Sequence, residues 1–300
     1  VMDYIFCVRN RKGDDFGNEP GATHFLEIPK NVAKPSAAHK IKKSDWVKKI
    51  QAQAATGLRN GVQSGDILFY VHGFNTSQEV MVERHRKIRA GMTANGFGGV
   101  VVSFDWPSAD SALNYLEDRS DAKRTALKFV DDGIRTFAAL QRPDCHINLH
   151  ILAHSMGCYV VREAFDDADD RPAIAAKSWS VSQVMLVSGD VSASSLRDGS
   201  SKSSSLYRHC VRLTNYYNPF DDVLSLSSVK RVGVAPRAGR VGLPSGAPSK
   251  AVNVYCGDYF KKNRAVFPPG LVVGHIWYFD DSKFLEDVFH TVQGEMDRHE

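Results

Sequence analysis

Long apolar runs, paired cysteines and a strong charge of either sign are all missing from this 300-residue chain. No apolar run reaches the roughly 18 residues that a membrane-crossing helix needs, so no spanning segment is expected. The apolar stretch in the opening "VMDYIFCVRN" is too short for a secretory leader, and Asp3 stands where such a leader carries a basic residue. The five cysteines (Cys7, Cys145, Cys158, Cys210 and Cys256) are odd in number and scattered, with no CxxC pair and no metal-ligand spacing. They read as reduced, mostly buried thiols, which argues against a disulfide framework and favours a soluble, cytoplasmic chain. Lys and Arg total 38 against 34 Asp and Glu, a net charge of +4. That excess is too mild for the footprint of a nucleic-acid binder. The basic residues around Lys40–Lys49 and Lys230–Arg240 read as solvated helix and loop faces.

Hydrophobic residues make up 43% of the chain, enough for one large core, and no internal repeat divides it. A short strand through Ile5–Val8 is followed by a loop-rich segment, then by a helix "SDWVKKIQAQAA" with Ser44 as its cap. From Asp66 the pattern changes. "DILFYVH", "GVVVSFDW", "HINLHILAH", "SQVMLVSG" and "CVRLTNYY" are compact apolar runs bounded by polar turns, the signature of buried strands. Between them lie helical patterns: Gln78 to Asn95, and a stretch in which Leu127, Val130, Ile134 and Phe137 recur on one face. A third helix begins at Cys158, directly after Gly157. Strands alternating with helices predict an α/β fold, a mostly parallel central sheet covered on both faces. Residues 1–64 are expected to add antiparallel edge strands to a single domain spanning 1–300. Two stretches break the rhythm. The serine-rich 192–205 predicts a mobile polar loop or cap, and the Gly/Pro-rich, basic 230–250 predicts a long excursion.

The run "HILAHSMGCYVV" places Ser155 between a strand and a helix in a very tight connection, flanked by the small residues Ala153 and Gly157. Such a turn forces strained dihedrals on its central residue and tolerates only small neighbours two positions away. It raises the hydroxyl beside a helix N-terminus whose amides favour developing negative charge. The plain alternative is a serine that merely caps the helix. With its strand before and helix after, the motif resembles the nucleophile elbow of the α/β-hydrolase superfamily, with Ala in place of the first Gly.

The resemblance carries further residues with it. In "FYVHGFNTS" the His-Gly-x turn after an early strand implies that the Phe74 amide is one oxyanion donor and the Met156 amide the other. Asn75 or Thr76 can also cap the following helix, and His72 reads as a turn-stabilising donor. The superfamily orders its triad as serine, acid, histidine, so the base lies downstream, among His209, His275, His290 and His299. His209 precedes the strand that should carry the acid, His290 sits in a helical pattern, and His299 is in the tail. His275, in a loop opening "HIWYF", is the choice, against the alternative of an imidazole packed on Trp277 or Tyr278. The acid is Asp221 in "NPFDDVLSLS", with Asp222 as a helix-start charge, and Asp190 in "VSGDVSAS" is its rival.

The pieces "VHGFNTS", "VVSFDWPS", "YLEDRSDA", "HILAHSMG", "LVSGDVSASSL", "NPFDDVLSLS" and "GHIWYF" resemble, in order, an uncharacterised, largely bacterial branch catalogued as a domain of unknown function. The first sixty-odd residues carry no part of that resemblance. Trp106 and Tyr115 read as packing or pocket support, and Asp118, Arg119 and Asp121 as a helix start. Together these imply a serine hydrolase of carboxylic esters, acting through Ser155, Asp221 and His275 on a small-molecule substrate, with no metal or organic cofactor. A thioesterase or amidase with the same machinery, or a non-catalytic binding protein on this scaffold, are the alternatives.

Overall fold

In a computed structural model the described residues are 1–59, 61–108, 115–139, 145–176, 178–229 and 235–294. Nine strands form one sheet: β1 (Met2–Lys12), β2 (Asp15–Pro29), β3 (Gly57–Arg59), β4 (Val62–Val71), β5 (Val100–Asp105), β6 (Cys145–His154), β7 (Val181–Val187), β8 (Cys210–Tyr217) and β9 (Ala251–Tyr255). The helices are α1 (Lys43–Ala54), α2 (Gln78–Ala94), α3 (Tyr115–Lys128), α4 (Arg135–Ala138), α5 (Met156–Asp169), α6 (Pro172–Ala175), α7 (Ser204–His209), α8 (Asp222–Val229), α9 (Ala238–Val241), α10 (Gly257–Asn263), α11 (Val273–Ile276) and α12 (Ser282–Val292). A π-helical turn, Phe129–Ile134, joins α3 to α4.

The strand order is β2-β1-β5-β4-β6-β7-β8-β9, with β3 paired to β4 off this path. From β1 to β9 neighbouring strands run parallel; only β2 against β1 and β3 against β4 are antiparallel. This is the mostly parallel α/β sheet that the apolar runs predict. Their unbroken hydrophobicity follows from burial on both faces. In β4, Ile67, Phe69 and Val71 join the core under α1, α3 and α5, while Leu68 and Tyr70 join the core under α2 and α12. In β7, Val184 and Leu186 face the first core and Met185 and Val187 the second.

In the N-terminal segment β2 is the expected antiparallel edge strand, but β1 is not. β1 is an inner strand rather than an edge, in register with β5 from Tyr4↔Val102 to Cys7↔Asp105, and the much longer β2 covers its outer side. Helix caps also shift. Lys42, not Ser44, precedes α1. Ser77, rather than Asn75 or Thr76, caps α2, its side chain accepting from the Val80 amide.

The serine-rich 192–205 is held down rather than loose. Ser195 Oγ accepts from Arg162 Nη1 of α5 (2.9 Å), Ser203 Oγ donates to the Ser195 carbonyl (2.6 Å), and Leu196 and Leu206 are buried in the core. The Ala193 amide donates to Pro236, so the excursion itself pins this stretch from outside. Lys230–Val234, the start of that excursion, lie outside the described residues, as do His299 and the side chains of Tyr115, Asp118, Arg119 and Cys145. Asp121 pairs with Arg124 one turn on. Cys7, Cys158, Cys210 and Cys256 are free and buried.

The topology makes one place special. From β4 the chain steps to β5 on one side, then crosses back to β6 on the other, so the C-terminal ends of β4 and β6 open a crevice where the order reverses. Open α/β sheets bind ligands at such switch points. The strand ends there lead into His72–Phe74 and Ser155.

Candidate active site

Ser155 holds φ 55° and ψ −123°, a conformation that L-residues adopt only when their surroundings impose it. Its amide donates to Val187 (3.0 Å), and its carbonyl accepts from Asp190 N (3.0 Å) and Cys158 N (3.1 Å). These bonds fix the bend from both sides. The small neighbours are required by contact. A Cβ on Gly157 would lie 2.4 Å from the Val71 carbonyl oxygen and 2.6 Å from that of His72. A Cβ on Gly73 would lie 2.8 Å from Ser155 Cβ. The turn after β4 and the turn after β6 therefore touch at two glycines, bringing the Phe74 region and the first amides of α5 to the serine.

The turn after β4 is braced from behind. The His72 ring stacks on Trp106 (5.3 Å between centroids), Trp106 Nε1 donates to the His72 carbonyl (2.8 Å), and His72 Nδ1 donates to the Gly73 carbonyl (2.9 Å). Trp106 thus supports the turn. His72 Nε2 lies 3.4 Å from Asp105 Oδ1. Asp105, fully buried, also accepts from Arg9 Nε (2.7 Å) and Gln78 Nε2 (2.5 Å). Burial alone would raise the Asp105 carboxyl, but Arg9 and His72 outweigh it and hold the group well below the usual carboxylate range. Arg9 belongs to β1, in the segment without recognisable pattern. β1 also carries Asp3, Arg11 and Lys12, so nothing local in "YIFCVRNRK" sets the buried Arg9 apart from its exposed basic neighbours.

The histidine and the acid come together. His275 Nδ1 donates to Asp221 Oδ2 at 2.7 Å, with both side chains buried. The other carboxylate oxygen, Oδ1, accepts from the Leu224 amide at the start of α8 (3.0 Å), and Asp222 supplies the first-turn charge of that helix. His275 sits in the short helix α11 rather than in a loop. The preceding Gly274 explains why the motif reads "GH": a Cβ there would lie 2.4 Å from the Phe220 carbonyl oxygen. Asn218 ties the two loops, its Nδ2 donating to the Gly274 carbonyl (2.9 Å) while its own carbonyl accepts from Asp221 N (3.1 Å).

Asp190 is engaged elsewhere, 3.1 Å from Arg237 Nε in a buried ion pair. His209 bonds Asp169 (2.7 Å) and the Trp179 carbonyl (2.9 Å), and His290 lies on α12. Of the histidines considered, His275 is the one held by Asp221.

His154, immediately before the serine, escaped sequence reasoning. Its Nε2 donates to the His275 carbonyl (2.8 Å), and its ring lies 4.7 Å from that of His275 and 5.0 Å from that of Phe279. Burial first, and the neighbouring His275 second, push His154 well below the ordinary histidine value, so it serves as a neutral donor. It links the elbow directly to the loop that carries His275. Among the described residues no hydrogen bond joins Ser155 Oγ to His275, and no group of three His, Cys, Asp or Glu side chains converges as a metal site.

A mostly parallel sheet, helices on both faces and a strained serine between the central strand and its helix define an α/β hydrolase. The chain belongs to the family described as "alpha/beta hydrolase of unknown function (DUF900)", which matches residues 49–250. No curated protein matches it. Among solved structures, a hydrolase from Oleispira antarctica is 12% identical, with TM-score 0.41 over 85% of this chain and 98% of that one. The metagenome-derived lipolytic enzymes LipS and LipT give 10% identity and TM-score 0.38 over 78% and 96%. A cutinase-like protein from Cryptococcus sp. gives 13% and 0.34 over 76% and 92%. Overlaps this loose carry no argument about chemistry. Among the described residues no helix is long and apolar enough to cross a membrane.

Proposed function

We propose that the protein is a serine hydrolase of carboxylic esters, with Ser155 as nucleophile, His275 as base and Asp221 as orienting acid. The observation that carries this reading is the buried 2.7 Å bond from His275 Nδ1 to Asp221, formed on loops bound to the strained turn of Ser155. A proton on Nδ1 leaves Nε2 as the acceptor, the tautomer that general-base catalysis needs. Ser155 Oγ attacks the acyl carbon while His275 Nε2 takes its proton. The amides of Phe74 and Met156 hold the oxyanion. The proton then passes to the leaving alcohol, and a water, activated by the same imidazole, hydrolyses the acyl-enzyme. Thioesters and amides can enter the same sequence of steps, because neither fold nor triad chooses the leaving group.

A fluorophosphonate probe tests the proposal. Labelling of the wild type is expected at Ser155, absent in Ser155→Ala and strongly slowed in His275→Ala. The second reading, a binding protein on a hydrolase scaffold, is favoured by the lack of a Ser155–His275 hydrogen bond among the described residues. Catalytic hydrogen bonds are often long in unliganded enzymes, so the bond itself does not decide. A folded wild type that resists the probe would establish the binding protein instead. Where Ser155 is labelled, rates on p-nitrophenyl esters of increasing acyl length sort esterase from lipase.

A further inference from the structure

Behind the Asp221–His275 pair lies a cavity of about 440 Å³ that does not include Ser155 in its walls. It is framed by the two loops of that pair, through Pro219, Phe220 and Asp222 on one and Val273 and Gly274 on the other. Three cations line it, Arg240, Lys261 and Arg264, against the single carboxylate of Asp222. They come from three separate elements, α9, α10 and the turn after α10.

Among the described residues none of these three cations is in an ion pair with a carboxylate, whereas Arg9 pairs with Asp105, and Arg86 and Arg89 both pair with Asp3. Arg240 Nε is buried without a hydrogen-bond partner. Lys261 Nζ sits 4.8 Å over the Phe220 ring and Arg264 lies 5.9 Å over the Phe260 ring, so aromatic faces hold both stems at the cavity wall. Three like charges set against one carboxylate leave an excess of positive charge at the cavity wall, and their mutual repulsion costs free energy. An anion removes that cost and supplies the missing partner of Arg240. The frame is rigid: Asn218 N donates to the Gly239 carbonyl (2.9 Å) and Asn218 Nδ2 to the Gly274 carbonyl (2.9 Å), tying α9 to both loops. The basic stretch through Arg240, expected from sequence to be a solvated face, is at Arg240 a cavity wall.

We propose that this cavity binds the negatively charged group, carboxylate or phosphate, of a small ligand. Its size lies within the roughly 300–1,000 Å³ of small-molecule sites. The binding does not depend on the serine-hydrolase reading, and the test keeps the two apart.

Calorimetric titration of the full chain carrying Ser155→Ala with inorganic phosphate, and separately with succinate, is expected to show saturable binding. Combined Arg240→Gln, Lys261→Gln and Arg264→Gln substitutions are expected to weaken it at least about tenfold, the loss of one or more charge-assisted hydrogen bonds. Should that triple variant not fold, each single substitution weakens binding several-fold, and Asp222→Asn tightens it. Two arms identify the source of the anion. A wild type that prefers a p-nitrophenyl ester with a free terminal carboxylate over its neutral counterpart, with the ratio falling in the substituted chains, makes the anion part of the substrate. Saturable phosphate binding with a ratio near unity makes it a separate small anion, and the cavity stands. No saturable binding of either anion, or equal affinity in wild type and in every substituted chain, overturns the proposal.

Discussion

Ser155 is held at φ 55° by three backbone hydrogen bonds and two glycine contacts, and a conformation of this kind costs on the order of 1–3 kcal/mol. Gly157 is where the restraint is most exacting, because the obstacle to a side chain is backbone carbonyl rather than a flexible group. Gly157→Ala must push α5 away from the ends of β4. It is expected to lower the melting temperature markedly and to abolish fluorophosphonate labelling, while Gly199→Ala, whose added Cβ meets no atom within 4 Å but whose φ is 74°, lowers the melting temperature slightly and leaves labelling intact. At the other end of the site, Asp221→Asn preserves the shape of the pair but favours the wrong tautomer of His275. On the proposed mechanism kcat falls by about 10³–10⁴ with little change in KM, measured on any p-nitrophenyl ester that the wild type turns over.

Among the elements, β1 carries a role beyond filling the sheet. Its Arg9 reaches across to Asp105 at the end of β5, and Asp105 in turn faces His72 and the cap region of α2 through Gln78. Removing the cation leaves a buried carboxylate without its main partner, which in general costs about 3–5 kcal/mol. Arg9→Met is therefore expected to lower the urea midpoint substantially. Because the strain falls on the His72–Phe74 turn, kcat is expected to drop more than KM rises. Arg9→Lys, which keeps the charge but not the geometry of the guanidinium, recovers only part of either. The helix α11 shows the same economy of means. One glycine contact and one Asn218 bond seat His275 against Asp221, so a four-residue helix suffices.

Across the whole molecule, buried histidines set the response to acid. His72, His85 and His154 are almost wholly buried, and burial lowers all three from the ordinary value, His85 to about 3. Each accepts a proton more readily in the unfolded chain. Their stabilising contribution is therefore fully present above about pH 6.5 and is lost as pH falls below it, by about 1.4 kcal/mol per unit for each histidine until its own folded value is reached. Asp105 acts in the same direction at lower pH. Its folded value is depressed, so its contribution is present above about pH 4 and disappears as pH falls through the folded value. Urea midpoints are expected to decline steadily from pH 7 to pH 5, and His85→Gln is expected to flatten the slope; a slope unchanged by that substitution would refute the assignment.

The local pattern of the chain was enough for the alternating strands and helices and the cramped turn at Ser155, while the α/β-hydrolase resemblance supplied the order serine, acid, histidine that pointed to His275 and left Asp221 and Asp190 as rivals. The strands, the helices and the turn rest on neighbours within a few residues, where spacing and side-chain size act directly. Which acid meets the histidine could not be read that way, since Asp190 and Asp221 both follow strands. Packing decided it, by turning Asp190 to Arg237 and closing Gly274 onto Phe220. The same is true of Arg9 behind the His72 turn, of His154 beneath His275 and of the three cations around one cavity. Arg9 and Asp105 lie 96 residues apart and His154 and His275 lie 121 apart. Their meeting depends on how strands are ordered across the sheet and how loops close over its edge, which no local spacing specifies.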